Sequence, residues 1–140
     1  MAKGWMEPEQ CRNLLVLVET VTAPLLIQHQ APVCLELDID LEIPIPCDHQ
    51  RTADLITALS KQALEAMPDG GDLMITACRS ESGLELEIAD SGTDATKRER
   101  HLPIAAAAIN AELQWQNCPQ GGVAVTIVFP SQSSSSRMAA

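Results

Sequence analysis

"ALEAMPDGGDLMITACRSESGLELEIADSGTDATKRERHLPI", Ala63 to Ile104, is the stretch on which the fold turns. Pro68-Asp69-Gly70-Gly71 stops a helix and reverses the chain, since proline lacks an amide donor and glycine accepts left-handed backbone. Two strands follow, Asp72 to Arg79 and Leu84 to Asp90, joined by the short turn Ser80-Glu81-Ser82-Gly83. Leu84, Leu86 and Ile88 alternate with Glu85 and Glu87, which predicts a hairpin with one apolar and one acidic face. Asp90 then puts a carboxylate where the alternation calls for an apolar side chain. Ser91 to His101 is polar and reads as a loop.

Working outward, Gln50 to Met67 carries Leu55, Ile56, Leu59, Ala63 and Met67 at helical spacing, with Asp48 placed to cap it. Before it, every odd position from Leu35 to Ile45 is apolar and every even one is Glu, Asp or Pro, the period-two signature of a half-buried strand. Pro44 and Pro46 put the end of that strand at an edge. Glu9 to Gln30 reads as an amphipathic helix interrupted near its end by Pro24. Downstream, Leu102 to Glu112 with its run of alanines reads as a closely packed helix, and Leu113 to Asn117 and Val123 to Phe129 as a last strand pair.

The order helix, strand, helix, strand, strand, helix, strand, strand predicts an α+β fold. It is a two-layer α/β sandwich, with a mixed, mostly antiparallel sheet of about five strands and three helices on one face. Residues 1–8 form an N-terminal arm, 9–130 a single domain, and the serine-rich 131–140 a disordered tail.

Composition narrows the function classes. The formal net charge of −10 argues against sequence-independent nucleic-acid binding and favours a basic protein partner. No apolar run is long enough to span a membrane and the N-terminus is no signal peptide, so no membrane insertion and a cytoplasmic location are expected. Five scattered cysteines without a C-x-x-C pair read as reduced, mostly buried thiols, and with equally scattered histidines they offer no metal site.

Two pieces, Leu55 to Gly71 "LITALSKQALEAMPDGG" and Leu84 to Gly92 "LELEIADSG", occur in the order and at the separation found in the ATP-binding domain of two-component sensor histidine kinases. In that family they correspond to a helix ending NAxEAMPxGG and a strand ending D-x-G-x-G. The chain resembles this domain from about Leu14 to Pro130, and so resembles the GHKL superfamily to which it belongs.

The resemblance divides the nucleotide site into three tasks. It assigns base recognition to Asp90, with Gly92 letting the backbone approach the ring. Magnesium and phosphate ligation falls to two helix asparagines spaced N-x-x-x-N, but here those positions hold Ala58, which ligates nothing, and Gln62, whose amide reaches one methylene too far for magnesium's strict octahedron. Glu65 is present in the motif, but it follows Lys61 at i, i+4 and reads as a solvated ion pair rather than a catalytic base. Phosphate cradling needs a second glycine-rich stretch, yet no glycine lies between Gly92 and Gly121, and Asp94 stands where the motif's last glycine would be. The basic run Lys97, Arg98 and Arg100 is either a solvated loop or a substitute phosphate clamp.

The expectation is a histidine-kinase-like module of bacterial signalling with a degenerate site, no catalytic residues, a protein partner, and weak or no ATP binding with magnesium doubtful. The alternative is a functional ATP- or ADP-binding domain of a histidine kinase or an anti-sigma-type serine kinase, which would make the protein an ATP-dependent phosphotransferase.

Overall fold

A computed structural model describes residues 7–81, 83–93, 104–119 and 121–130. Its elements are a 3-10 turn at Pro8–Gln10, α1 (Leu14–Gln28), β1 (Val33–Asp38), α2 (His49–Glu65), β2 (Gly71–Ser80), β3 (Gly83–Asp90), α3 (Ile104–Ala108), β4 (Glu112–Asn117) and β5 (Val123–Val128). The five strands make one sheet in the order β1-β2-β3-β5-β4, with β1 parallel to β2 and every other pairing antiparallel. The three helices cover one face, so the α+β two-layer sandwich expected from the sequence is the architecture found.

Strand alternation decides which side chains meet the helices. Leu73 and Ile75 of β2, Leu86 and Ile88 of β3 and Ile127 of β5 all point to the helix layer and are at most 1% exposed. Leu17, Leu55, Ile56 and Leu59 fill the space from the helix side. Each such side chain contributes about 1.5–3 kcal/mol by leaving water. With a single phenylalanine in the chain, Phe129, the core is aliphatic almost throughout.

Local chemistry sets the element ends. Asn13 caps α1 by accepting from the Val16 amide at 2.9 Å, and this cap separates the helix from the Pro8 turn. The expected helix from Glu9 is therefore two pieces. Pro24 sits inside α1, which continues past it to Gln28. Asp48 caps α2 through the Arg51 amide at 2.9 Å, as its position suggested. At the far end His29 Nε2 donates to the Met67 carbonyl at 2.8 Å and ties the end of α1 to the exit of α2.

Two elements are shorter than their sequence patterns. β1 ends at Asp38, and the alternation from Ile39 to Ile45 belongs to a loop. Ile39 and Ile43 are buried there as anchors, while Leu41 is 66% exposed. A turn closed by the Ile43 amide on the Asp40 carbonyl (3.2 Å) pulls the chain off the sheet. α3 stops at Ala108 because Asn110 adopts a left-handed conformation (φ 56°). The Ala111 amide then returns to the Ala106 carbonyl and that of Asn110 to Ala107, a Schellman closure that starts β4 early.

The outer sheet face carries Glu36 and Asp38, exposed, with Glu87 half-buried between Thr76 and Thr126 and Glu85 half-buried between Cys78 and Val128. Asp40 and Glu42, expected on the same face, leave it with the loop. All five cysteines are free, but only Cys11 is buried; Cys34 and Cys78 are exposed and Cys47 and Cys118 intermediate, so the expectation of mostly buried thiols fails.

Candidate functional site

The centre of the expected site is the end of β3. Alternation puts Asp90 on the helix side, opposite Leu73, and leaves it 6% exposed. Its Oδ1 accepts the Gly92 amide at 2.8 Å and closes a tight turn. Ser91 Oγ accepts the Asp72 amide at 2.9 Å and lies 3.6 Å from Met67 Sδ. The carboxylate is thus part of a hydrogen-bonded junction joining β2, β3 and the exit of α2.

Glycine serves this junction by close approach. A side chain on Gly92 would collide with the Ala66 carbonyl and come within 2.8 Å of Ala66 Cβ. The next amide, Thr93, donates to the same carbonyl at 3.3 Å. The space freed by the missing side chain is therefore taken up by the end of α2. From the other side Gly122, at φ +95°, presses on the Asp90 carbonyl so closely that a Cβ would overlap it, and that Cβ would lie 2.8 Å from Ser91 Cα. Protein backbone walls Asp90 in on both flanks.

Ala58, Gln62 and Ala66 fall at i, i+4 and i+8 along α2 and share one stripe. Gln62, half-buried, is the polar member of that stripe. Glu65 is exposed and, with Lys61, lines a shallow hollow of about 190 Å³ against Leu25, Gln28 and His29 at the end of α1. The structure thus joins Asp90 to Gly92 directly and Gly92 to Ala66, and opens Glu65 towards α1. Lys97, Arg98 and Arg100, with Asp94 and His101, lie outside the described residues. Among the described residues no three His, Cys, Asp or Glu side chains converge as a metal would require.

Sequence reasoning missed three residues of this junction: Ala66 against Gly92, and Gly122 and Cys118 beside Asp90. The Gly121-Gly122 pair signalled a turn but not what it would press against. Cys118, in the β4–β5 connection, has its thiol pKa raised above the ordinary 9.0 by burial first, then by the negative charges of Asp90 and Glu87. The connection carrying Gly122 and Cys118 therefore folds over the end of β3.

A larger cavity lies at the opposite end of the sheet. It measures about 570 Å³ and is walled by Ile43, Pro44, Ile45, Leu84, Phe129 and Pro130. Arg79 stands at its rim, its Nη2 donating to the Glu42 carbonyl at 3.4 Å.

No protein-family model and no curated protein sequence matches the chain. Solved structures do. The mycobacterial sensor histidine kinase MprB superposes with a TM-score of 0.65 at 16% identity, over 81% of this chain and 91% of that one. The Acinetobacter baumannii histidine kinase AdeS gives 0.67 at 22% identity, over 87% and 70%. The catalytic domain of the histidine kinase ThkA, in a nucleotide-free form, gives 0.65 at 18%, over 85% and 94%. At such identities the likeness concerns the fold alone. With the element order and the "LEAMPDGG" and "LEIADSG" segments in their expected places, this chain has the α+β fold of histidine kinase catalytic domains.

Proposed function

We propose that this chain is a histidine-kinase-like regulatory or interaction module of bacterial, cytoplasmic signalling, which binds adenine nucleotide weakly or not at all. The observation that carries this reading is the enclosure of Asp90. Its Oδ1 holds the Gly92 amide, Gly92 packs on Ala66, and Gly122 abuts its carbonyl. Ala58 and Ala66 flank Gln62 along one stripe of α2 and its C-cap, so that stripe offers a magnesium ion a single side-chain oxygen.

Such a module acts by docking. The chain's net charge of −10, with Glu36, Asp38, Glu85 and Glu87 gathered on the open sheet face, suits a signalling partner with a basic contact surface. Among the described residues no helix is long and apolar enough to cross a membrane.

The test is thermal denaturation with ATP and magnesium. A ligand at a hundred times its dissociation constant adds about 2.7 kcal/mol to folding stability. Millimolar ATP is expected to leave the melting temperature unchanged, and a rise of several degrees overturns the reading. One observation favours the alternative, a working nucleotide binder: the carboxylate at the family's base-reading position is retained and nearly buried. Under that alternative Asp90→Asn removes the thermal shift, and calorimetric titration with ATP and then ADP gives heats above the buffer blank.

A further inference from the structure

The sheet has two edges, β1 and β4, and they are built differently. An open strand edge presents unpaired amides and carbonyls to any other chain, and proteins protect such edges with charge, proline or bulges. β1 is protected. Its sequence VCLELD carries two charges, Glu36 and Asp38, and of its two five-residue antiparallel self-pairings the one centred on Glu36 sets that residue against its own copy.

Among the described residues β4 has no such protection. Its sequence ELQWQN holds one charge, Glu112, and no lysine or proline. Among the described residues it pairs on one side only, with β5. Glu112, Gln114 and Gln116 are exposed on the outer face, and Leu113 and Trp115 are half-buried on the helix side.

The strand is also complementary to itself. Residues opposite one another in an antiparallel pair share a face, so the permitted self-pairings differ in steps of two residues. Centred on Gln114, the pairing sets Leu113 against the partner's Trp115 on the helix side, twice by symmetry. Outside, Glu112 meets the neutral partner's Gln116, and no like charges oppose. One step towards the N-terminus cuts the overlap to residues 112–114. One step the other way sets apolar Leu113 against polar Asn117.

We propose that β4 is the seam of a homodimer, in which two copies pair antiparallel about Gln114 and their five-stranded sheets run on as one. The two-fold axis through Gln114 makes the contact isologous and closed, so assembly stops at two chains. Each copy carries a charge of −10, so the copies repel at long range and added salt strengthens the contact by screening. Docking of a basic partner has the opposite salt dependence.

Sedimentation velocity on the full chain, across the micromolar range and at low and high salt, reads this directly. We expect a monomer–dimer equilibrium that tightens with salt. Gln114→Lys places two ammonium groups opposite each other at the axis and is expected to weaken the dimer about tenfold or more, with unchanged circular dichroism and, at concentrations where both chains are monomeric, an unchanged melting temperature. As a second measurement, Gln114→Cys in a chain carrying Cys34→Ser and Cys78→Ser is expected to form an intermolecular disulfide under mild oxidation. Gln116→Cys in the same background is not. A monomer at every concentration, a dimer indifferent to Gln114→Lys, growth beyond two chains, or cross-linking as fast at position 116 as at 114 each overturns the proposal.

Discussion

The two ends of the sheet treat space in opposite ways. At the Asp90 end, glycines bring backbone against backbone: Gly92 lies on Ala66 and Gly122 on the Asp90 carbonyl. At the other end, prolines and branched side chains hold a cavity of about 570 Å³ open between the β1–α2 loop, the β2–β3 turn and Phe129. The difference lies in residue type: glycine removes the side chains that would hold the Asp90 end apart, while prolines and branched side chains keep the other end open.

Substitutions at the closed end give the largest expected effects. Gly122→Ala adds a Cβ into the Asp90 carbonyl and forces an L-residue to φ +95°. The expected loss is about 3 kcal/mol or more, read from urea denaturation. Its neighbour Gly121 has φ +105° but open space around a Cβ. Gly121→Ala therefore costs only the backbone term, about 1–2 kcal/mol. Equal losses at the two glycines would mean that Asp90 is not hemmed in.

At the open end the cost is smaller. Leu84 is half-buried in the cavity wall, and Leu84→Ala is expected to lose about 1 kcal/mol, because no tight cavity is left behind. Away from both ends, Ser60 in α2 is fully buried and its Oγ has no hydrogen-bond partner among the described residues. Ser60→Ala is expected to be neutral or to gain up to about 1 kcal/mol, since it removes an unsatisfied hydroxyl.

The smallest effect is electrostatic. Burial and the charges of Asp90 and Glu87 favour the neutral Cys118 thiol in the folded chain. Its contribution to stability is therefore fully present below the ordinary pKa of 9.0 and is lost as pH rises through the higher folded value. Removing one of those charges with Asp90→Asn is expected to speed alkylation of Cys118 at a fixed pH near 8, followed by peptide mass mapping. No change in rate would separate Cys118 from Asp90.

Much of this was legible in the chain. Helix stripes, strand alternation and glycine–proline stops are local signals, and they placed α2, β2, β3 and β5 within a few residues. Alternation failed at Ile39 to Ile45, because two buried anchors spaced four apart in a loop mimic a strand; only the missing partner beyond Asp38 tells them apart. The α3 alanines gave no stop signal, since Asn110 declares itself only through its left-handed backbone. At the candidate site, the motif singled out Asp90 and Gly92, which the structure joins in one turn. Ala66, Gly122 and Cys118 were not singled out, because their importance comes from contacts between segments far apart in the chain.

One bond near the start of the chain has a mechanical meaning. The Leu14 amide that opens α1 donates to the Ile43 carbonyl at 3.0 Å, and Ile43 also walls the larger cavity. The first helix and that wall are stapled together. Ahead of that staple the Pro8–Gln10 turn packs on α2 and Cys11 is buried, so a pull along the residues before Asn13 would meet α2 before it reached the hollow.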